Sequence, residues 1–339
     1  MIEAVRGSWT RIVLAERTGV FAVALGVMLV VALAFGLTQG AARVPLSDLG
    51  AALLDPAHPS HAVLTAVRMP RLLCAALVGS SLAVAGALLQ TAVRNPIADP
   101  GILGVSAGAA LATLTGILFV PGHPEIFPAL GFAGGLCAMG VLLVASGSAP
   151  GRDHPLRLVL CGVALQSLFF AGVSLLTFLF AERAPSFVSF TIGSLHGAGW
   201  REVWIVCVPT LIGVGASLAL RRPLDALLLD DESAGGIGLP VRSVRLAVSG
   251  VGALLCAGAV AVAGLVGFVG LVVPNAVRLL VGPGHRALLP LSALAGGSLV
   301  LLADTGARTL AAPVELPVGV PLACVGAPYF LHLVWKLRE

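Results

Sequence analysis

The chain has 339 residues, of which 58% are hydrophobic and only 11% charged, with a formal net charge of +4. A soluble globular domain carries about 25% charged residues because water must wet its surface, so this composition excludes a soluble enzyme and indicates a surface that faces lipid. Uncharged runs lie at 18–42, 72–93, 100–124, 126–151, 158–181, 203–220, 246–277, 287–303 and 316–335. Most of them can span a bilayer, which takes roughly 17 to 25 apolar residues.

The elements predicted along the chain are membrane-spanning helices, beginning with a retained first helix. The run 18–42 follows three arginines, as in a signal peptide, but it is far longer than a signal core of roughly 7 to 15 residues. The run 246–277 is too long for one upright crossing of a bilayer core about 30 Å thick, so we expect it to split near Gly264, Gly267 and Gly270. The sequence therefore predicts an all-α integral membrane protein with about ten spans, forming a single transmembrane domain over residues 1–339.

The basic residues orient these spans. With the N-terminus in the cytoplasm, 14 of the 20 Lys and Arg residues fall on the cytoplasmic side, and the C-terminus is cytoplasmic as well. Six arginines remain outside, at positions 43, 68, 71, 183, 201 and 308. The longest cytoplasmic loop, about 221–245, is the most charged stretch, and we expect it to contact another protein; an ordinary solvated loop is the alternative. Its segment 224–234 predicts one short amphipathic helix ended by Gly235 and Gly236.

The uncharged runs place no acidic or basic side chain near the bilayer midplane to couple transport to an ion. A secondary transporter normally places ionisable residues near the bilayer midplane, whereas Asp99, Asp304 and Glu315 lie at the edges of uncharged runs. Ion coupling is therefore disfavoured, although polar backbone sites for sodium stay open. The sequence has no G-x-x-x-x-G-K-[ST] phosphate loop, and its histidines and cysteines lack the spacing of a metal site or a catalytic triad. If ATP drives this protein, another chain must hydrolyse it.

Two long stretches carry a family resemblance. Residues 68–111 begin RMPRLLC and contain RNPIADPG, and residues 264–330 contain GLVGFVGLVVPN and ADTGAR. Both resemble the membrane subunit of ABC importers for iron-siderophores, haem and vitamin B12, the FecCD-type permeases. Weaker matches at 160–170, 192–200 and 224–241 follow in the family's order, so the resemblance covers nearly the whole chain from Arg68. It implies the type II ABC importer permease fold of ten helices in the bacterial cytoplasmic (inner) membrane.

The resemblance also implies the partners of such a subunit, which is not itself an enzyme. A permease of this family dimerises, as a homodimer or with a paralogous permease, around a central path. It works with two ATP-binding cassette subunits and an extracytoplasmic substrate-binding protein, and it contacts membrane lipid but no nucleic acid. We expect no cofactor or metal on this chain, since ATP and Mg²⁺ would bind to the ATPase subunits. The expected cargo is an iron chelate, a ferric siderophore before haem or cobalamin; an ion-coupled secondary transporter acting without an ATPase and a structural scaffold are the alternatives.

Candidate site residues follow from the family's motifs. In the family, the arginines of R-x-P-R and A-D-x-x-A-R face outward and pair with glutamates of the binding protein, which selects Arg68, Arg71 and Arg308; snorkelling at the interface is the alternative. The candidates for ATPase coupling are Asp230, Asp231, Glu232, Ala234 and Gly238. The candidates for an inner gate or a structural turn are Asn95, Pro96, Asp99 and Pro100.

Other candidates concern the cargo. Arg183 and His196 in the outer loop are candidates for contact with an anionic chelate; ordinary solvated loop residues are the alternative. Asn275 replaces a histidine common in the family, and Phe187 and Phe190 lie where a tryptophan is common. These departures suggest a divergent substrate or one half of a heterodimer.

Overall fold

The computed structural model describes residues 2–40, 44–101, 103–147, 155–180, 190–310 and 314–336. Within these ranges the chain is helical and has no β-strand. The helices are α1 (Ile2–Thr38), α2 (Leu49–Leu54), α3 (Met69–Val93), α4 (Val105–Phe119), α5 (Phe127–Gly147), α6 (Pro155–Leu179), α7 (Trp200–Ala219), α8 (Arg221–Ala226), α9 (Asp231–Gly236), α10 (Val241–Ala263), α11 (Val269–Val281), α12 (His285–Leu310) and α13 (Gly319–Lys336). A π-helical segment, Val63–Arg68, leads directly into α3.

Seven helices among the described residues are long and apolar enough to cross a membrane. They are α1 from Thr18 onward, α3 with its π-helical lead-in, α5, α6, α7, α10 and α12. Helices α4 and α11 are apolar but shorter, with 15 and 13 residues. The predicted all-α membrane fold is thus confirmed, whereas the count of ten spans and the cytoplasmic position of both termini stay predictions.

The long run 246–277 divides where the sequence predicts. Residues 264–268 separate α10 from α11, and Gly264 among them has a φ of +68°. A Cβ atom at Gly264 would lie 2.2 Å from the carbonyl oxygen of Phe190, so both the backbone conformation and the close approach require glycine. Gly270 lies inside α11 instead of in the connection.

Helix α3 lies at the centre of the bundle and packs against α7, α10, α11 and α12. Two pairs of glycines bring its backbone against its neighbours. A Cβ on Gly79 would lie 2.1 Å from the carbonyl oxygen of Gly296 in α12, and one on Gly86 would lie 1.8 Å from that of Gly270 in α11. In lipid, apolar side chains gain little by leaving the solvent, so close backbone packing holds helices together. The membrane-spanning segments of α1 and α6 are only 11% buried, as expected of helices that face lipid.

The 221–245 loop contains two short helices, so the prediction of one helix over 224–234 is wrong. Asp230 adopts an extended conformation, with φ −66° and ψ 162°, and separates α8 from α9. Its carboxylate accepts a hydrogen bond from the backbone N–H of Ser233 at 2.6 Å, which caps α9. An aspartate favours a helix start over a helix interior because its side chain satisfies an N–H that would otherwise have no partner. Gly235 and Gly236 lie within α9 instead of ending the longer helix.

Candidate functional site

Charged side chains gather where α3 begins and α12 ends; we call this group the outer cluster. It comprises Arg68, Arg71, His196, Asp304, Arg308 and Glu315. Arg71 Nε donates to both carboxylate oxygens of Asp304, at 3.2 and 3.1 Å, and Arg71 Nη2 donates to Oδ1 at 2.9 Å. Arg71 Nη1 donates to Glu315 Oε2 at 2.7 Å. Asp304 is 1% exposed and Arg71 7%, so a buried ion pair joins the two helices.

The other two predicted docking arginines are also buried. Arg308 Nε lies 3.2 Å from Asp304 Oδ2, one helical turn away on the same helix. Arg68 donates from Nη1 to the backbone carbonyl of Leu37 on α1. All three guanidinium groups therefore lie against acceptors of this chain. The pairing of these arginines with glutamates of a binding protein stays a prediction. For Arg71, such a glutamate would be a third carboxylate beside those of Asp304 and Glu315.

Glu315 connects the segment between α12 and α13 to the outer cluster. Its Oε2 lies 3.0 Å from Nδ1 of His196, a side chain that is 75% exposed. Burial tends to raise the pKa of Glu315, but hydrogen bonds from Arg71 and His196 outweigh it and hold that pKa below the usual 4.5. His196, the candidate for chelate contact, is thus exposed and engaged with a carboxylate. Arg183, the other candidate, lies outside the described residues.

Sequence reasoning placed Asp304 and Glu315 only at the edges of uncharged runs and missed their part in the outer cluster. For Asp304 a signal was present, since an acid and an arginine four residues apart lie on the same face of a helix. Glu315 had no such signal, because Arg71 is 244 positions away in sequence.

A second group of charges, the inner cluster, lies where α3 ends and the 221–245 loop begins. It comprises Arg94, Asp225, Asp231, Arg245 and His285. Arg94 Nη2 lies 2.6 Å from Asp231 Oδ1, and Arg245 Nη2 of α10 donates to the same oxygen at 3.0 Å. His285, which is fully buried at the start of α12, places Nδ1 2.7 Å from Asp225 Oδ1. The two short helices of the loop are therefore bonded to α3, α10 and α12.

The predicted ATPase-coupling residues differ in their exposure to solvent. Glu232 and Gly238 are exposed, and Gly238 has a φ of +83°. Asp230 is exposed too, and hydrogen bonds from the backbone N–H and the hydroxyl of Ser233 lower its pKa. Ala234 is fully buried, and Asp231 pairs with two arginines of this chain. Contact of these residues with an ATPase stays a prediction. Glu232 lies on an exposed face of α9 that such a partner could contact.

The predicted inner gate, residues 95–100, is a stiff turn. The side-chain oxygen of Asn95 accepts a hydrogen bond from the backbone N–H of residue 97 at 3.0 Å. Asp99 likewise accepts one from the backbone N–H of residue 101 at 2.8 Å. Such Asx turns mimic a backbone turn, and Pro96 and Pro100 fix φ within the segment. These bonds and prolines leave the turn little freedom to change its own shape.

Asn275 bonds this turn to α11. Its Nδ2 donates to the carbonyl of Pro96 at 2.7 Å, and its Oδ1 accepts from Arg278 at 3.0 Å. Arg278 also donates to Oε1 of Gln90 on α3, at 3.0 Å. Asn275 and Arg278 thus link α3, α11 and the turn.

A cavity of about 410 Å³ opens beside the turn, between the starts of α4 and α11. Its wall is mainly apolar and contains Phe170, Phe268 and Phe330, with polar groups from Asp99, Ser106 and Gln166. Burial raises the pKa of Asp99 to about 6, although the hydrogen bond from the N–H of Gly101 opposes that rise. An apolar cavity with a few polar groups is the usual form of a small-molecule binding site.

The fold and these sites define a class of protein, a membrane permease. Apolar helices face lipid, a cavity lies among them, and charged clusters occupy both ends of α3. The profile of the FecCD transport family matches residues 28–336, and the chain belongs to this family.

Individual relatives agree with this assignment. The chain is 35% identical over 325 residues to the Fe(3+)-citrate import system permease protein YfmD of Bacillus subtilis (strain 168), with 96% of each chain covered. It is 40% identical over 286 residues to the hemin transport system permease protein HmuU of Yersinia pestis, covering 80% of this chain and 83% of the relative. A solved inward-facing structure attributed to a metal-chelate type ABC transporter superposes with a TM-score of 0.82 at 32% identity, covering 93% of this chain and 98% of that one.

These comparisons confirm the resemblance read from the motifs. The chain has the type II ABC importer permease fold and is a multi-pass protein of the inner membrane. It is a permease subunit and not an enzyme, since ATP hydrolysis in such transporters belongs to a separate subunit.

Proposed function

We propose that this chain forms, with a second permease subunit, the membrane path of an ATP-driven importer whose cargo is an iron chelate of the ferric siderophore class. The observation that carries the proposal is the 35% identity to a ferric citrate import permease across 96% of both chains. The likeness to a metal-chelate type transporter supports the same cargo class. Haem is the alternative cargo, because a hemin permease is 40% identical.

The geometry of the 221–245 loop supports a coupling role. The importer has two ATP-binding cassette subunits, which would hold ATP and Mg²⁺, and one of them meets this chain's loop through the exposed face of α9 that carries Glu232. Because the inner cluster bonds the loop to α3, α10 and α12, a displacement of α9 carries these helix ends with it. The nucleotide thereby shifts the population between two arrangements of the path.

The outer cluster supports docking of an acidic partner. Arg68, Arg71 and Arg308 place three permanent positive charges within one small region. Arginine can hold a carboxylate through two hydrogen bonds. We assign this region to the substrate-binding protein, whose acidic side chains would share or replace the contacts that Glu315 makes with Arg71. The second permease is a copy of this chain or a paralogue.

One observation favours a different function, an ion-coupled carrier. Asp99 lies in the wall of an apolar cavity and has a pKa raised to about 6, which suits a group that takes up and releases a proton. The sequence alone disfavoured ion coupling because Asp99 lies at the edge of a run. Uptake by the purified chain alone under a proton gradient separates the two functions, and Asp99→Asn should abolish any such proton-coupled uptake.

The cargo class is tested by uptake in the host cell. A strain without this permease and one that carries it are compared for uptake of ⁵⁵Fe as ferric hydroxamate, ferric catecholate or ferric citrate, and for uptake of haem and labelled cobalamin. We expect the loss of uptake to be confined to ferric chelates. Loss of haem or cobalamin uptake with all ferric chelates unaffected would refute the proposed cargo.

A further inference from the structure

Arg94 ends α3 in a backbone conformation that arginine rarely adopts. Its φ is 50° and its ψ 38°, the left-handed region in which glycine or asparagine usually ends a helix. A side chain at this position carries a conformational cost, so the contacts that it makes must offset that cost.

Among the described residues, the acceptors of the Arg94 guanidinium lie between the end of α8 and the first residue of α9. Nε donates to the carbonyl of Leu227 at 3.1 Å, and Nη2 donates to the carbonyl of Leu229. Nη2 also lies 2.6 Å from the carboxylate of Asp231. The Arg94 side chain therefore contacts the junction of the two short helices at three points.

The backbone of Arg94 continues directly into the stiff turn of residues 95–100. The N–H of Asn95 bonds to the carbonyl of Gln90 at 3.1 Å, which fixes the turn to the end of α3. At the far end, the turn approaches α11 where Gly270 lacks a side chain: a Cβ there would lie 2.8 Å from Pro100 Cδ. Residues 97, 99 and 101 line the cavity. A displacement of the turn would therefore change the cavity wall.

We infer that Arg94 is the positioning residue that transmits displacement of the 221–245 loop to the turn 95–100, and so couples the ATPase to the cavity. The inference rests on the proposed function, since it takes an ATPase to be what moves the loop. The other bonds of the inner cluster join the loop to α10 and α12, whose backbones do not continue into the turn. Arg245 and His285 hold the loop to α10 and α12, so the loop stays anchored when the Arg94 side chain is removed.

Arg94→Gly tests this role with little disturbance of the backbone, because glycine adopts the left-handed conformation without strain. Arg94→Lys keeps the positive charge but not the planar fork that reaches several acceptors. Arg286→Ala, at an exposed arginine near the start of α12, is the matched control. Each change is combined with Ile97→Cys, which places a thiol in the cavity wall.

The complex with its ATPase subunits is placed in lipid nanodiscs, and a membrane-impermeant maleimide labels position 97 with and without ATP and vanadate. Mass spectrometry of the peptide that contains position 97 gives the rate, so the native cysteines stay in place. We expect nucleotide to change the rate at least about threefold in the otherwise unaltered chain and in Arg286→Ala. Arg94→Gly should abolish that change while ATP hydrolysis and assembly persist, and Arg94→Lys should lie between.

Three results would overturn the inference: an unaltered nucleotide effect in Arg94→Gly, no nucleotide effect in the unaltered chain, or loss of assembly together with the effect, which would make Arg94 a structural residue. Uptake by the unaltered complex is measured separately. A complex that shows the labelling change but imports no chelate would contradict the proposed cargo and leave the role of Arg94 intact.

Discussion

Asp304 on α12 holds Arg71 on α3 through three hydrogen bonds of 2.9 to 3.2 Å, across 233 positions of sequence. The Arg308 guanidinium adjoins the same carboxylate at 3.2 Å, so one buried anion balances two cations, with Glu315 as a second partner of Arg71. A buried charge is tolerated when its partners are in place, and losing one partner leaves the rest uncompensated. The outer cluster is therefore a candidate docking site, and its ion pairs also hold α3 and α12 together.

Asp304→Asn should destabilise the chain strongly. Removing the charge leaves two buried arginines with less compensation, and breaking such a pair typically costs about 3 to 5 kcal/mol. The thermal unfolding midpoint of the purified chain in detergent measures the effect. Glu232→Gln, which removes an exposed carboxylate on α9, is the control and should leave the midpoint unchanged. Equal midpoints for Asp304→Asn and the unaltered chain would show that the pair contributes nothing to stability.

Arg308→Gln should weaken docking of the substrate-binding protein by about tenfold, the effect of losing one charge-assisted contact at an interface. Arg308→Lys should fall between, because lysine keeps the charge without the bidentate fork. Surface plasmon resonance on the nanodisc complex, repeated at low and high salt, measures the affinity. Arg201→Gln alters another outer arginine, an exposed one, and should bind as the unaltered chain does. If the affinity of Arg308→Gln matched that of Arg201→Gln at every salt concentration, docking through the outer cluster would be wrong.

Gly86→Ala should destabilise the bundle. The new Cβ would lie 1.8 Å from a backbone oxygen of Gly270, so two helices must separate, at a cost of roughly 2 to 3 kcal/mol. Gly250→Ala on α10 is a matched control, since no atom lies within 4 Å of its added Cβ. Alanine is the better helix former by about 1 kcal/mol, so the control should be neutral or slightly stabilising. Unfolding midpoints of the two variants give the comparison, and a Gly86→Ala midpoint equal to that of the control would refute the close contact.

Asp99→Asn should stabilise the chain above about pH 6 and lose that advantage as the pH falls. Because burial raises the pKa of Asp99 to about 6, the folded state binds the proton more tightly than the unfolded state, where the usual value is 3.8. The ionised carboxylate therefore costs stability at higher pH, and protonation removes the cost as the pH falls from 6 toward 4. We expect the midpoint of Asp99→Asn to exceed that of the unaltered chain by about 1 to 3 °C at pH 8 and by less at pH 5. A constant difference across this range would indicate that the charge of Asp99 is not what the substitution relieves.

The sequence predicted the elements that depend on local composition. Uncharged runs marked the apolar helices, and the glycines from Gly264 onward marked the break between α10 and α11. The positive-inside rule left six arginines as exceptions, and the family's motifs selected Arg68, Arg71 and Arg308 among them. The structure brings these three residues into one cluster.

What the sequence could not predict depends on tertiary contact. Arg71 contacts Glu315, 244 positions away in sequence, and Arg94 contacts the junction of α8 and α9, more than 130 positions away. Both arginines lie at ends of α3, which runs through the centre of the bundle, so each contacts a distant part of the chain. The break between α8 and α9 is a different case. There the capping of α9 by Asp230 prevailed over the helical pattern of the surrounding residues.

The central claim is that this chain is the path of an importer and that a separate ATPase supplies its energy. Proteoliposomes that hold the purified chain alone, or the chain with its ATPase subunits and binding protein, are compared for uptake of a ⁵⁵Fe-labelled ferric siderophore, with and without ATP and with proton or sodium gradients. The account predicts uptake only from the full complex with ATP, and none from the chain alone under any gradient. Gradient-driven uptake by the chain alone would contradict it.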